Sequence, residues 1–148
     1  MRSAGDSSSS RKVEVPLTRG DVDRIHREAG EPGRLVLRGM NLKGIDLAYL
    51  DLNGAILSQA TLSDADLSGA DLRGTDLTGA DLGVTSLFGA TLRGAVLTGA
   101  NLSKATLSRA NFFGAIMNEV DLTDANLDEA DLSGAIMVDV EITEKPKE

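Results

Sequence analysis

The sequence predicts an all-β solenoid, a chain that turns every few residues and stacks its coils through backbone hydrogen bonds, preceded by one short α-helix. Three observations lead there. Leu recurs at every fifth position, as in GADLRGTDLTGADL at residues 69 to 82, and the register runs without insertion from Leu37 to Ile142. Of these 22 centres 18 are Leu, and the others are Phe112, Met117, Met137 and Ile142. The residue two before each centre is Ala in 14 of the 22 cases and is never charged. Neither regular element has this period. A helix advances about 100° per residue, so steps of five would spread the leucines around its whole circumference. A flat strand would send successive centres to opposite faces, because five is odd. A chain that turns once per five residues points every centre inward instead, and Gly, Asn and Asp between the centres suit such turns.

The units ADLSG, ADLRG, ANLSK and ANFFG resemble the A(D/N)Lxx unit of the pentapeptide-repeat proteins, and the likeness extends over residues 35 to 142. The resemblance implies a right-handed, four-sided β-helix of about five coils, four pentapeptides to the coil. The centre and the residue two before it would face inward and the other three outward. Outward positions should then show patterns at a spacing of 20, and they do. Val36, Ile56, Val96, Ile116 and Ile136 are β-branched and apolar, with Asp76 the one break, and Gly54, Gly74, Gly94, Gly114 and Gly134 form a second series. The glycines are expected to mark one corner, where a side chain clashes or a positive φ is needed.

The remaining elements follow in chain order. Residues 1–12 are expected to form a disordered tail, and residues 13–34 a cap containing a helix over about 19–29. Thr18 reads as the N-cap with Asp21 as its box partner, and Leu17 with Val22 as a hydrophobic staple. Val22, Ile25 and Ala29 give the helix an apolar stripe, and Gly30 followed by Pro32 ends it. Leu35, Met40, Ile45 and Leu50 hold the inner position that Ala takes later, so the first coil should be fatter inside. The β-helix is expected over 35–142. Residues 143–148 form a charged tail with Pro146.

Composition narrows the function. The 148 residues carry a net charge of -8 and only 3% aromatics, which opposes phosphate binding and base stacking. No Cys is present, so disulfides and thiolate chemistry are excluded. No stretch approaches the ~20 apolar residues of a membrane helix, no secretory or transit signal opens the chain, and the expected location is the cytoplasm. His26, the only histidine, reads as a solvated helix residue. Asp46, Asp51, Asp66, Asp71, Asp76, Asp81, Asp121 and Asp131 fall on the solvent side, where paired acids could bind a cation or work as acid and base. They are also the repeat's own Asp/Asn position, and turn and solubility needs explain them better. No catalytic, cofactor-binding or metal-binding residue is therefore expected, and the chain reads as a non-enzyme.

Charge is banded along the chain. Residues 44 to 82 hold seven acids and one Arg, residues 83 to 118 hold only Arg93, Lys104 and Arg109, and residues 119 to 144 hold nine acids and no base. The resemblance implies one sharp reading, since quinolone-resistance members of the family mimic duplex DNA and occupy the DNA site of a type II topoisomerase (gyrase). This chain departs from them, with no loop insertions, no C-terminal pairing helix and a basic central band. The favoured reading is a protein-binding or scaffold module. Ile56, Val96, Ile116 and Ile136 form an apolar ladder, Phe113 lies beside its corner, and Phe88 is another scarce aromatic; these six are the candidate protein contacts. The partner is expected to be a protein, a second copy of the chain included, with no nucleic acid, membrane or small-molecule substrate.

Overall fold

The computed structural model describes residues 15–29 and 34–143. The expected tail over 1–12, the Gly30–Pro32 helix stop and residues 144–148 with Pro146 lie outside them. Helix α1 spans Arg19–Ala29. Its first turn is held by the reciprocal pair read from the sequence. The Thr18 N–H donates to the Asp21 carboxylate at 2.9 Å and the Asp21 N–H to the Thr18 hydroxyl at 3.1 Å, which satisfies donors that a helix start leaves open. Val22 is fully buried, and Leu17 and Ile25 pack half-buried against the same core.

From Val36 onward the chain is a stack of short parallel bridges, each joining residues 20 apart: Val36 to Ile56, Asn41 to Thr61, Asp46 to Asp66, and so on to Ile116 with Ile136. Four pentapeptides thus separate bridged partners. At the far end the bridges lengthen into two strands, β1 (Asp121–Thr123) and β2 (Glu141–Thr143), which pair in parallel. The hydrogen-bond unit repeats at each rung. The Leu37 N–H donates to the Ile56 carbonyl at 2.7 Å, and the Ile56 N–H returns to the Leu35 carbonyl at 2.9 Å. Every coil is thereby tied to the coils on either side, and this is what fixes a pentapeptide that neither helix nor sheet could hold.

The inward assignment holds through the interior. Centres from Leu37 to Leu122 are at most 1% exposed, and the Ala positions between them are closed in the same column. Thr75 and Thr85 replace Ala there and remain satisfied, since the Thr75 hydroxyl donates to the Leu72 carbonyl at 2.6 Å and the Thr85 hydroxyl to the Leu62 carbonyl at 2.6 Å. The ends behave differently. In the first coil Leu35 and Ile45 are buried, but Met40 is 36% exposed and Leu50 half-buried, so the fatter coil is not filled on all sides. In the last coil Met137 and Ile142 stand 37% and 53% exposed.

The glycine series also takes a different meaning. A Cβ at Gly54, Gly74, Gly94 or Gly114 would meet nothing within 4 Å, so no clash selects glycine there. The requirement is a positive φ, and it belongs to every pentapeptide rather than to one corner. Each residue two beyond a centre, from Gly39 to Asp139, has φ between 56° and 72°, and ten of these are not glycine. Asp, as at Asp64, Asp124 and Asp139, tolerates this region, but Val84 at φ 57° is β-branched and exposed, a strained position.

Candidate protein-contact surface

The outward carboxylates come first, because they decide whether the surface has chemistry to offer. Twelve Asp or Asn residues immediately before a centre, from Asn41 to Asp131, accept the backbone N–H two residues on, at 2.9 to 3.1 Å. Each side chain mimics a backbone acceptor and closes its own turn. Hydrogen bonds from Ser68, hydroxyl first and N–H second, hold Asp66 below the usual carboxylate range. Thr123 and Ser133 do the same for Asp121 and Asp131. Asp71 is lowered first by the Arg73 guanidinium, which pairs with it at 2.6 Å. These acids are held ionised and turned toward their own backbone, which is a structural use. Among the described residues no group of three or more His, Cys, Asp or Glu could hold a metal, and no helix is long and apolar enough to cross a membrane. His26 is exposed on α1.

The six candidate contacts divide. Ile56, Val96 and Ile116 are half-buried, each bridged to a residue one coil away, and Ile136 at the open end of the series is 51% exposed. Asp76 sits between Ile56 and Val96 in the same bridge series, with its carboxylate on the Thr78 N–H at 3.0 Å. Phe113 is 45% exposed and leans along the corner toward Gly134 of the next coil. Arg93, one coil earlier, places its guanidinium 4.8 Å from the Phe113 ring centroid, a cation–π contact. Phe113, Ile116 and Ile136 therefore share one edge. Phe88 does not join them. It follows Leu87, two pentapeptides before the ladder's next centre, Leu97, and its ring pairs instead with Arg109 at 5.9 Å.

Two exposed residues escape the sequence reading. Tyr49, 81% exposed, lays its ring over Gly69, the corner 20 residues on, where any Cβ would strike the ring. The signal was present as a Tyr and a Gly at one-coil spacing. Val138, 55% exposed, stands at the outward position just after a centre, as Phe88 and Phe113 do.

Parallel bridges at 20-residue spacing and an apolar column of one residue in five define a solenoid repeat protein. The chain belongs to the pentapeptide-repeat family: a model described as "Pentapeptide repeats", with eight copies, matches residues 41–79, 80–118 and 105–143. Among solved structures, the pentapeptide repeat protein Rfr23 from the cyanobacterium Cyanothece 51142 is similar, with 29% identity, a TM-score of 0.67, and coverage of 84% of this chain and 98% of that one. A pentapeptide repeat protein from Nostoc PCC 7120, alr5209, matches at 25% identity and a TM-score of 0.40, covering 88% and 100%. QnrB1, a plasmid-mediated fluoroquinolone resistance protein, matches at 17% identity and a TM-score of 0.34, covering 72% and 84%. No curated relative matches the sequence.

Proposed function

We propose that the chain is a non-enzymatic protein-binding or scaffold module, a right-handed, four-sided solenoid of about five coils that acts in the cytoplasm by presenting side chains on fixed rungs. The observation that carries this reading is the edge where Phe113, 45% exposed, meets the ladder of Ile116 and Ile136, while the nearby carboxylates close their own turns. An aromatic beside a straight apolar strip gives area without mobile side chains. Five steps of roughly 4.8 Å make the strip about 24 Å long, which suits a partner with an equally straight face. A second copy has such a face, and a self-complementary strip closes a twofold dimer.

The test is the double change Val96→Lys, Ile116→Lys with Phe113→Ala alongside, read by sedimentation and by melting. Loss of the dimer with melting preserved supports the strip. A wild-type protein whose association survives all three changes sinks it.

One observation favours a second reading, a DNA-mimic inhibitor of a type II topoisomerase: residues 119–143 hold eight acids and no base. Stoichiometric inhibition of gyrase supercoiling, lost when acids of this band are neutralised, would replace the first reading with the second.

A further inference from the structure

We propose that the middle of the solenoid binds an extended acidic segment of a partner protein, two of whose carboxylates are held by Arg93 and Arg109 at the two corners of one side. This rests on the protein-binding reading above but not on the apolar strip, which lies on another side.

The side in question carries the bridge series Asp51, Asp71, Thr91, Asn111 and Asp131. Its second coil shows how a carboxylate docks there. Asp71 immediately precedes a centre, Arg73 immediately follows it, and the guanidinium donates to the carboxylate from Nε at 2.9 Å and from Nη2 at 2.6 Å. One coil on, the same two positions hold Thr91 and Arg93. Threonine offers no carboxylate, and Arg93 has no acidic partner among the described residues. Its guanidinium lies instead 4.8 Å from the Phe113 ring centroid. Stacking on a ring uses the face of a guanidinium and leaves its N–H edge to a planar acceptor.

At the other corner of this side Arg109 stands 5.9 Å from the Phe88 ring centroid, and its Nε donates to Glu129 at 3.0 Å. Both members of that ion pair are well exposed, and such pairs contribute little. The terminal nitrogens of Arg109 have no acceptor among the described residues. Two pairs of Arg and Phe thus flank Thr91 and Asn111, and both rings are exposed. Arg and aromatic residues grouped in this way are the composition of a binding hot spot.

Charge selects the partner. The chain carries -8 overall, yet residues 83–118 contain no acid. An acidic segment is attracted to these two coils and repelled by their neighbours, which present Asp71 and Asp131 on the same side. The favourable zone is two rungs deep, roughly 10 Å, so the segment crosses the side rather than following the solenoid axis. The straight part of a side is about three residues, roughly 7 Å. Residues i and i+2 of an extended segment face the same way at that spacing, so the segment this side reads has two acids separated by one residue.

The second coil also supplies the decisive variant. Thr91→Asp rebuilds the arrangement of Asp71 with Arg73 and should engage Arg93 internally, with melting unchanged because the repeat already holds Asp at equivalent positions. The probe is the capped peptide acetyl-GEVEG-amide, titrated at low salt and followed by NMR at the arginine Nε–H groups. It should bind the wild type in the millimolar range and shift Arg93 and Arg109 together. Thr91→Asp and, separately, Arg93→Gln should each weaken binding about tenfold. A GEEVG peptide, whose adjacent acids face opposite ways, should bind more weakly, and GQVQG should not bind. Equal binding by Thr91→Asp and wild type, equal binding of GEEVG and GEVEG, or no shift up to about 10 mM peptide overturns the proposal. Displacement of the peptide by an equal concentration of inorganic phosphate overturns it in favour of a phosphate site. A monomeric wild-type protein that binds the peptide sinks the apolar-strip dimer and leaves this contact standing, and a dimer that ignores the peptide does the reverse.

Discussion

The two ends of the solenoid are built from the same five-residue unit and finished in different ways. At the N-terminal end α1 drops Val22 into the core and caps carbonyls of the first coil. At the C-terminal end the unit continues through Leu132, Met137 and Ile142 with nothing described beyond, and the centres emerge to solvent. A centre is therefore not inward by virtue of its place in the repeat. It is inward because it is covered on both sides, by a coil or by the cap: Leu37, Leu42 and Leu47 stay fully buried in the first coil, whose core the cap residues Leu17, Val22 and Ile25 join, whereas Met137 and Ile142, with nothing described beyond, do not.

Substitution at equivalent positions gives the strongest way to break that contrast. Leu92→Asp places a carboxylate with no partner between two coils and should cost about 4 kcal/mol or more. Ile142→Asp puts the same group at a site already 53% exposed and should stay within about 0.5 kcal/mol. Comparable losses in urea unfolding would show that the last coil is as closed as the interior.

The cap supplies the next effect. Val22 is fully buried, so Val22→Ala should lower stability by about 2 kcal/mol through lost burial and the cavity left behind. Unchanged unfolding would mean that α1 rests on the solenoid without closing it.

Within the coils, Val84 holds φ 57° because the rungs on either side dictate its backbone. Relieving a β-branched residue of that region with Val84→Gly should gain about 1 kcal/mol, provided the interior is as rigid as the burial implies. The same change at Asp139, φ 56° in the open coil, should gain less, and a larger gain there than at Val84 would reverse the comparison.

The smallest effect is that of pH. Asp66, Asp71, Asp121 and Asp131 have lowered pKa values. Lowered carboxylates contribute stability that is present above the unfolded-state value of about 4 and is lost as pH falls through their folded values. Melting temperature should therefore fall as pH is lowered below about 4. Asp66→Asn, which keeps the acceptor oxygen for the Ser68 N–H, should flatten part of that slope. A melting temperature that rises below pH 4 would contradict the assigned shifts.

How much was legible depends on whether a residue's role was set by its own repeat or by its neighbours. Thr18 and Asp21 act within one turn of chain, so spacing was enough to read them. The ladder from Val36 to Ile136 could be placed in one column from its spacing of 20, but its half-burial in the middle and exposure at both ends could not, since that depends on how many coils lie above and below. Phe88 and Phe113 look alike in sequence as rare aromatics, yet their sides lie one pentapeptide, a quarter of a coil, apart and each ring is covered by a different Arg. Met40 reads as an inner residue and is partly exposed, because the cap does not extend over every side of the first coil.

By itself the sequence determined the five-residue register, the inward column of the interior and the place of the helix, because periodicity and capping are local and repeat without interruption. The tertiary structure alone decided that Tyr49, Val84 and eight other residues adopt a glycine-like φ at their corners, and which centres stay dry. The reason is that hydrogen bonds between strands bridged 20 residues apart impose one backbone path on every coil, whatever side chain stands at the corner, and among the described residues the first and last coils have such bonds on one side only.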